Sequence, residues 1–524
     1  MGASHKIACA ASATAILFFV ACGGDSAPES YAAAPASAPA PGLLLISPLK
    51  DQSTYLLDAQ GEIAHRWDLD LPPGNSVYLM DDGDLLRCAR LGDNPVFHGG
   101  GEGGRIQRFS WDGELEWDFL WSDDQHLHHH DIAPLPNGNV LLLSWSAKTK
   151  EQVLAAGMDP ALLQGDSLWP DSVLEIRPLG ADGGEVVWTW NVWDHLVQEF
   201  DAESDNYGIV ADHPELIDLN AHRHRQQKSE EEQAAELARM TALGYAGDEE
   251  PEETPELLFT DAVADEKEAP EKKGKPRRGS KGEDFCHTNG IDYNPQLDQI
   301  VLSVRTFSEL WVIDHSTTSE EAAGHTGGRS GRGGDLLYRW GNPLNYGRGT
   351  VDHQQLFKQH DARWIPEGMP GAGHLTVFNN GSDRPGGEYS SVVEIALPRT
   401  ADGHYEMLGG EPFGPALATW EFKASEPESF YSSFISGAER QPNGNTLICS
   451  GEHGLVFEVN SIGDTVWEYA NEFGEQDQPK PDPGADSTAP ADKGAGRASN
   501  MNPKALFRAS RVAPDHPGLS RLEP

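Results

Sequence analysis

A short motif recurs along the chain, in which a glycine is followed at an even spacing by a strand that ends on tryptophan. The six copies run from Gly61 to Trp67, Gly113 to Trp117, Gly184 to Trp188, Gly334 to Trp340, Gly414 to Trp420 and Gly463 to Trp467. Because side chains alternate along a strand, an even spacing keeps each tryptophan on the same face relative to its turn. Such a repeat is typical of proteins built from one recurring supersecondary unit.

Two further strands accompany most copies of the motif. An apolar strand is predicted before each one, at residues 55–57, 106–109, 173–176, 310–313, 392–395 and 456–459. Turn signals such as Asn137-Gly138 and Asn443-Gly444 precede other apolar strands, and Asn-Gly favours a hairpin because both residues tolerate positive φ. Six such units with no helical periodicity predict an all-β fold, a six-bladed β-propeller, which removes its sheet edges by closing a ring. A count of seven stays open, since one blade could diverge.

The first residues resemble an export signal. Lys6 precedes a fifteen-residue apolar run that ends at Ala21, directly before Cys22, and a membrane-spanning helix needs about 20 apolar residues. We expect a signal peptide at residues 1–22 with a lipobox-like end, lipidation of Cys22, and a location in the cell envelope, periplasmic or membrane-anchored. An ordinary signal peptide cut nearby is the alternative. Membrane contact is then expected only through a lipid at the N-terminus.

Composition divides the rest of the chain. An Ala/Pro-rich tether at 23–42 leads into the propeller at 43–475, which an acidic and basic insertion at about 228–283 interrupts, and a polar tail with a C-terminal segment occupies 476–524. The insertion has few aromatic residues, so we expect it to be disordered. Formal net charge is −44, which argues against nucleic acid as a partner. Three widely separated cysteines, Cys88, Cys286 and Cys449, predict buried thiols and no disulfide framework.

Histidines recur at equivalent positions in three consecutive units. The strand after each tryptophan strand opens with His128-His129-His130-Asp131, with His287-Thr-Asn289 and with Gln359-His360-Asp361. Arg305 and the pair Asn379-Asn380 lie at the ends of the strands that follow. If the three strands converge at one end of a ring, their imidazoles, amides and guanidinium form a pocket for a tetrahedral oxyanion, with a nucleophile among them.

This ordered set of motifs resembles the bacterial arylsulfate sulfotransferase family. The resemblance covers roughly residues 43–475 without the insertion. It rests on His-His-Asp before Leu-Pro-Asn-Gly-Asn, on His-x-Asn with a downstream Ser-x-Arg, and on Gln-His-Asp-Ala before Val-Phe-Asn-Asn-Gly. It implies a six-bladed propeller that moves a sulfuryl group from an aryl sulfate to a phenol by a ping-pong route, with no nucleotide donor and no cofactor. Its partners would be those two small molecules.

Carried over by motif, the resemblance gives each residue a role. His360 would be the nucleophile that is transiently sulfated. His287, Asn289 and Arg305 would bind and polarise the sulfuryl oxygens, and His130 would be the acid/base. His129 is an alternative to His130, because strand alternation lets only one of the two face the channel. Asn379 and Asn380 are candidate substrate-binding residues. The long acidic insertion and the lack of a local disulfide depart from better-known members and leave substrate choice open.

Other functions are compatible with parts of the pattern. His126, His128 and His130 alternate on one strand and could hold zinc, although three ligands from one strand rarely form a tetrahedron. A quinone-dependent dehydrogenase and a non-catalytic propeller that binds an anion are further alternatives, and water could replace the acceptor and give hydrolysis. The Gly99-x-Gly101-x-x-Gly104 match to a dinucleotide fingerprint lacks a following helix and carries no such prediction.

Overall fold

The computed structural model describes residues 35–163, 165–221, 282–400, 402–407, 409–474 and 501–522. Its main elements are six four-stranded antiparallel sheets. We number these sheets 1 to 6 in chain order. The few helices are short, with α-helices at Lys150–Ala155 and Ser319–Ala322. The prediction of an all-β fold is therefore confirmed.

Sheets 2 to 6 each use four strands in chain order, whereas sheet 1 combines three N-terminal strands with one from the C-terminus. Sheets 1 to 3 consist of Leu506–Val512, Leu43–Pro48, Ser53–Leu57 and Ile63–Asp68; Pro73–Leu79, Leu85–Arg90, Gly104–Phe109 and Leu115–Leu120; and His126–Pro134, Val140–Ser146, Asp171–Leu179 and Gly183–Asn191. Sheets 4 to 6 consist of Thr288–Asn294, Gln299–Val304, Glu309–Asp314 and Tyr338–Trp340; His360–Trp364, Leu375–Asn379, Ser391–Ile395 and Trp420–Phe422; and Gly437–Arg440, Thr446–Ser450, Leu455–Val459 and Thr465–Ala470.

Smaller elements decorate the connections between these strands. Two minor sheets contain Lys148–Thr149, Ser167–Trp169 and Gly282–Asp284, and Leu196–Val197 with Ile217–Asp218. Short 3-10 helices lie at Val192–His195, Val210–Asp212, Pro343–Tyr346, Val351–His353, Pro427–Ser429, Gly451–His453 and Pro517–Arg521. Within the described residues, no helix has the length and apolar character needed to cross a membrane.

The repeated tryptophan joins each sheet to the next. All six lie in the last strand of their sheet, and each indole N–H donates to the loop at or before the last strand of the following sheet. The acceptors are Ser110 O for Trp67, Gly183 O for Trp117, Thr317 Oγ1 for Trp188, Pro415 O for Trp340, Ser461 O for Trp420 and Ala59 O for Trp467. The Trp467 contact runs from sheet 6 back to sheet 1, which explains why every unit carries the motif.

The strands predicted before the motif and those predicted after the Asn-Gly turns are both present, but the turns differ from the predicted form. The six strands predicted before the motif all lie within the third strands of their sheets. Of the Asn-Gly pairs, only the glycines adopt positive φ, at +85° for Gly138 and +87° for Gly444. In the first of these turns Gly138 N donates to Leu135 O, so the hairpin is one residue longer than the two-residue form, and a single left-handed position suffices.

The first sheet extends beyond the predicted boundary of 43–475. Strand Leu506–Val512 pairs antiparallel with Leu43–Pro48, although the sequence placed it in the C-terminal segment, because it carries no copy of the motif. Cys88, Cys286 and Cys449 are buried free thiols. The signal peptide, Cys22, most of the tether, most of the insertion and residues 475–500 lie outside the described residues.

One edge strand of each sheet faces its counterparts in the neighbouring sheets. These inner strands are Leu506–Val512, Pro73–Leu79, His126–Pro134, Thr288–Asn294, His360–Trp364 and Gly437–Arg440. Each contacts the next in this order, and the last contacts the first. The three histidine motifs thus belong to three adjacent inner strands, those of sheets 3, 4 and 5.

Candidate active site

The inner strands of sheets 3, 4 and 5 are each interrupted by a bulge at the histidine motif. Strand pairing shifts register between residues 128 and 132, between 288 and 290, and between 360 and 363. His130, His287 and Asp361 have φ of +54°, +51° and +54°. A bulge re-aims side chains, and positive φ at a non-glycine residue costs about 1–3 kcal/mol, strain that typically clusters at functional sites. The same distortion in three adjacent strands brings the histidines together.

His360 is fully buried and held at both ring nitrogens. Its Nδ1 lies 2.7 Å from Oδ1 of Asn380, and its Nε2 accepts from the N–H of Ile435 at 3.2 Å. The amide of Asn380 is itself fixed, because its Nδ2 donates to the carbonyls of Ser432 and Ile435. An amide oxygen can only accept, so Nδ1 of His360 carries the proton and Nε2 the lone pair. Burial and then Arg305 lower the pKa of His360 well below its usual value.

His287 forms a close pair with Asp284. Its Nδ1 lies 2.6 Å from Oδ2 of Asp284, and its backbone N–H donates to Oδ1 of the same carboxylate at 3.0 Å. Trp145 Nε1 also donates to that oxygen, at 3.1 Å. Burial lowers the pKa of His287 against the opposing effect of Asp284. Burial disfavours ionisation of Asp284, but the charge and hydrogen bond of His287 outweigh it and lower the pKa of Asp284.

His130 lies against His287 and is supported by His129. The rings of His130 and His287 meet edge to face with centroids 4.6 Å apart. Nδ1 of His130 is 2.9 Å from Nδ1 of His129, whose Nε2 lies 3.4 Å from Oδ1 of Asp171. Burial, followed by His287 and His129, lowers the pKa of His130 well below its usual value. Its Nε2 has no hydrogen-bond partner among the described residues.

Strand alternation does not decide between His129 and His130. Both rings lie on the same side, in contact with each other, because positive φ at His130 breaks the period of two. His128 points away from this group: it accepts from Gly104 N and lies 3.5 Å from the thiol of Cys88, and burial lowers its pKa to about 3. His126 lies beside Asp123 on a half-exposed surface. These three histidines therefore do not share one face, and the strand does not assemble the alternative zinc site.

An amide and a cation complete the group. Asn289 is fully buried and donates from Nδ2 to Gln359 O at 2.8 Å, while its Oδ1 has no hydrogen-bond partner within the described part of the chain. Arg305 directly follows strand Gln299–Val304 and acts electrostatically on His130, His287 and His360. The structure thus brings His130, His287, His360, Asn289 and Arg305 into one group, and the roles assigned to them stay predictions.

Asn379 and Asn380, the candidate substrate-binding residues, both hold neighbouring protein groups in place. Asn379 accepts from Phe357 N and donates to Gln355 O, so its amide fixes the chain before His360 and is not brought to the site. Asn380 contacts His360 and two backbone carbonyls. It is a positioning residue, because both N–H groups of its amide are used on backbone carbonyls and its oxygen holds His360.

Several contributing groups were not predicted from the sequence. Asp284, three residues before His287, offered a weak local signal, because Asp-x-x-His can close a turn. Asp171 and the Ile435 N–H come from distant segments and gave none. Gly101 has φ of +83°, and a Cβ there would overlap the ring of His130. The Gly99–Gly104 run, which carries no dinucleotide-site prediction, therefore lets the backbone lie close to this imidazole.

The rings of His130, His287 and His360 are all contacted through the same nitrogen. Each is engaged at Nδ1, by Asn380, Asp284 or His129, which directs Nε2 of each ring away from its support. The pKa values of His130 and His360 lie well below the usual value, so both rings are neutral near pH 7, whereas Asp284 opposes the effect of burial at His287. A neutral imidazole beside a permanently charged guanidinium suits nucleophilic attack on an anion, because the ring offers a lone pair at Nε2 and the guanidinium neutralises the oxyanion.

Comparison with known proteins supports a specific chemistry. A model of the family "Arylsulfotransferase (ASST)" matches residues 31–480. No curated protein matches the chain. Among solved structures, a protein of unknown function from Bacteroides caccae is 12% identical with a TM-score of 0.39, covering 83% of this chain and 96% of that one. Virginiamycin B lyase from Staphylococcus aureus is 9% identical with a TM-score of 0.34, covering 83% of each chain.

Proposed function

The chain belongs to the arylsulfotransferase family, whose model spans most of its length, and we propose that it transfers a sulfuryl group from an aryl sulfate ester to a phenol. One observation carries this proposal: His360 is a buried neutral imidazole whose Nδ1 is fixed by Asn380, so that its lone pair lies on Nε2, and Arg305 and His287 both act electrostatically on the ring. We also infer that the six sheets are blades of a propeller, because their inner strands contact one another in succession and the sixth contacts the first.

In the first half-reaction, Nε2 of His360 attacks sulfur. An N–S bond forms while the bond from sulfur to the aryl oxygen breaks, and its electron pair leaves on the phenolate. As in phosphoryl transfer, the transition state is loose and its charge lies on the equatorial and leaving oxygens. Arg305 neutralises that charge, and the Asn289 amide, which uses one N–H on Gln359 O, can donate the other to a sulfuryl oxygen. The Ile435 N–H must leave Nε2 as the bond forms, and it is then close enough to donate to a sulfuryl oxygen.

Two histidines are candidates for the proton that the phenol oxygen gains or loses. The family resemblance assigns this role to His130. His287, however, has the Asp284 carboxylate 2.6 Å from its Nδ1, which can balance an imidazolium as in a Ser-His-Asp arrangement. We therefore favour His287 as the acid/base, with His130 beside it holding the phenol oxygen.

The second half-reaction reverses these steps. An acceptor phenol enters after the first phenol leaves, loses its proton to the acid/base histidine and attacks sulfur. The N–S bond then breaks and returns a neutral His360, which gives ping-pong kinetics. The aryl sulfate itself supplies the sulfuryl group and the imidazole carries it between the two phenols, so the scheme needs no nucleotide donor and no cofactor. We propose the cell envelope as the location, with a lipid on Cys22 as the membrane contact.

The test follows nitrophenolate release from 4-nitrophenyl sulfate, with and without phenol, in the full chain. Phenol-dependent release that disappears in His360→Asn is expected, together with acid-labile sulfate on the protein when the acceptor is omitted. His126→Asn is the matched control, because this histidine lies outside the site, and it should retain activity. Release independent of phenol would indicate hydrolysis. No release with any phenol would favour a non-catalytic propeller that binds an anion.

A further inference from the structure

A second cluster of imidazole and carboxylate groups lies in a different part of the molecule. His195 ends the 3-10 helix Val192–His195 that follows the last strand of sheet 3. His325 and Asp335 lie in the long loop between Glu309–Asp314 and Tyr338–Trp340 of sheet 4. Nδ1 of His195 is 3.0 Å from Oδ1 of Asp335, and Nδ1 of His325 is 2.7 Å from the same oxygen.

The hydrogen bonding of His195 leaves this arrangement incomplete. His195 is fully buried, and its Nε2 lies 2.8 Å from the carbonyl oxygen of Ala322. A carbonyl can only accept, so Nε2 carries the proton, and a neutral His195 directs the lone pair of Nδ1 at a carboxylate oxygen. Two acceptors face each other there unless an additional proton or a cation lies between them.

We propose that His195, His325 and Asp335 bind a divalent transition metal of the zinc class. One ligand atom from each of the three residues lies within 4.8 Å of the others. Two imidazoles and one carboxylate, with a fourth position left for water, form a typical open zinc site. The bond from Nε2–H of His195 to a backbone carbonyl is the outer contact that orients most metal-binding histidines.

The surroundings of the cluster allow a metal to enter and bind. The side chain of His325 is 60% exposed, so it can swing in after the ion arrives. It also lines a cavity of about 680 Å³ together with Asp194, Asp205 and His213. Tetrahedral zinc places its ligand atoms about 3.3 Å apart, so the two nitrogens at 3.0 Å and 2.7 Å from Oδ1 of Asp335 need only small outward shifts from that oxygen. The net charge of −44 favours cation uptake.

Metal binding would stabilise the contact between two sheets. The loop that carries His325 and Asp335 contains six glycines between residues 324 and 334, and glycine loses more conformational freedom on ordering than other residues. A metal that joins this loop to His195, in the 3-10 helix after sheet 3, would hold the loop in one conformation. The site would therefore raise the melting temperature independently of the sulfuryl-transfer site.

The experiment titrates the full chain, freed of metal by chelation, with Co²⁺ and then Zn²⁺. Visible d–d absorption saturating at one Co²⁺ per chain, its loss on adding Zn²⁺ and a higher melting temperature with Zn²⁺ are expected. His325→Ala and Asp335→Asn should each weaken binding by more than about tenfold, since even outer-shell changes cost that much.

Two controls locate the signal. His213→Ala removes a histidine of the same cavity outside the cluster, and His360→Asn alters the other histidine group; both should retain the Co²⁺ spectrum. Absence of stoichiometric binding, or binding that persists unchanged in both His325→Ala and Asp335→Asn, would overturn the proposal. Loss of binding in His360→Asn alone would place the metal in the other site and overturn it as well.

Discussion

Nδ1 of His360 lies 2.7 Å from Oδ1 of Asn380, and this contact decides which nitrogen of the ring is available for reaction. The Asn380 amide cannot rotate freely, because its Nδ2 donates to the carbonyls of Ser432 and Ile435. Asn380, which directly follows strand Leu375–Asn379, therefore fixes the tautomer of His360 in the neighbouring strand of sheet 5. The second asparagine of Asn379-Asn380-Gly381 thus orients the histidine of Gln359-His360.

Replacing Asn380 by Leu should lower kcat strongly with little change in KM. Without the amide oxygen, Nδ1 loses its acceptor, and the population with the lone pair on Nε2 falls. Loss of tautomer control in a related arrangement costs about 10⁴-fold, so we expect a decrease between roughly 10²- and 10⁴-fold. Steady-state kinetics with 4-nitrophenyl sulfate measure it. An equal loss in Asn380→Leu and in a variant at a distant buried asparagine, Asn445→Leu, would contradict the role and indicate a general folding defect.

Asp284→Asn should shift the alkaline limb of the kcat/KM profile to lower pH. Asp284 raises the pKa of His287 and thus opposes the effect of burial, so its removal lowers that pKa further, and the protonated acid is lost at lower pH. The pH profile of kcat/KM between pH 5 and 9 checks this. His130→Asn is the comparison variant. If that change, and not Asp284→Asn, moves the limb, the acid/base is His130.

Acid should destabilise the fold through its buried neutral histidines. Burial lowers the pKa of His128 to about 3, whereas an unfolded histidine has a pKa near 6.5. The unfolded state therefore binds more protons below pH 6.5, and the stability due to neutral His128 is present above that pH and lost as pH falls toward 3. Between pH 7 and pH 5 the loss is about 2 kcal/mol for this residue.

The variant His128→Asn isolates that contribution. Asparagine keeps an acceptor for the Gly104 N–H that now donates to His128 but does not titrate. Urea unfolding at pH 7 and pH 5 should show a pH-dependent decrease that is smaller in His128→Asn than in the original chain by about 2 kcal/mol. Identical pH dependence of the two proteins would show that folding does not lower the pKa of His128.

The repeat and the histidine motifs were readable in the sequence because both follow local periodicity. Trp67 and its five equivalents occupy the last strands as predicted, since an even spacing from a turn is a property of one hairpin. The strand Leu506–Val512 was not assigned to sheet 1, because its partner Leu43–Pro48 is more than 450 residues away and pairing at that distance has no sequence period.

The contacts that hold the site histidines in place were less predictable from the sequence than the histidines themselves. Alternation predicted one of His129 and His130 in the channel, but the bulge at His130 places both rings together. Asn379 resembled Asn380 in sequence, yet their amides point to different partners. Such outcomes depend on single backbone torsions and on contacts between sheets, which a linear pattern does not encode.

The variant Gly101→Ala should reduce activity by acting on His130. Gly101 has φ of +83°, and an added Cβ would overlap the imidazole of His130, whose backbone N–H also donates to Gly101 O at 2.7 Å. Gly138→Ala is a matched control, because Gly138 has φ of +85° and a Cβ there would meet nothing within 4 Å. Both changes should cost about 1 kcal/mol in backbone strain, measured by urea unfolding. Only Gly101→Ala should displace the imidazole and lower kcat, and equal kinetics in the two variants would show that the position of His130 does not limit the reaction.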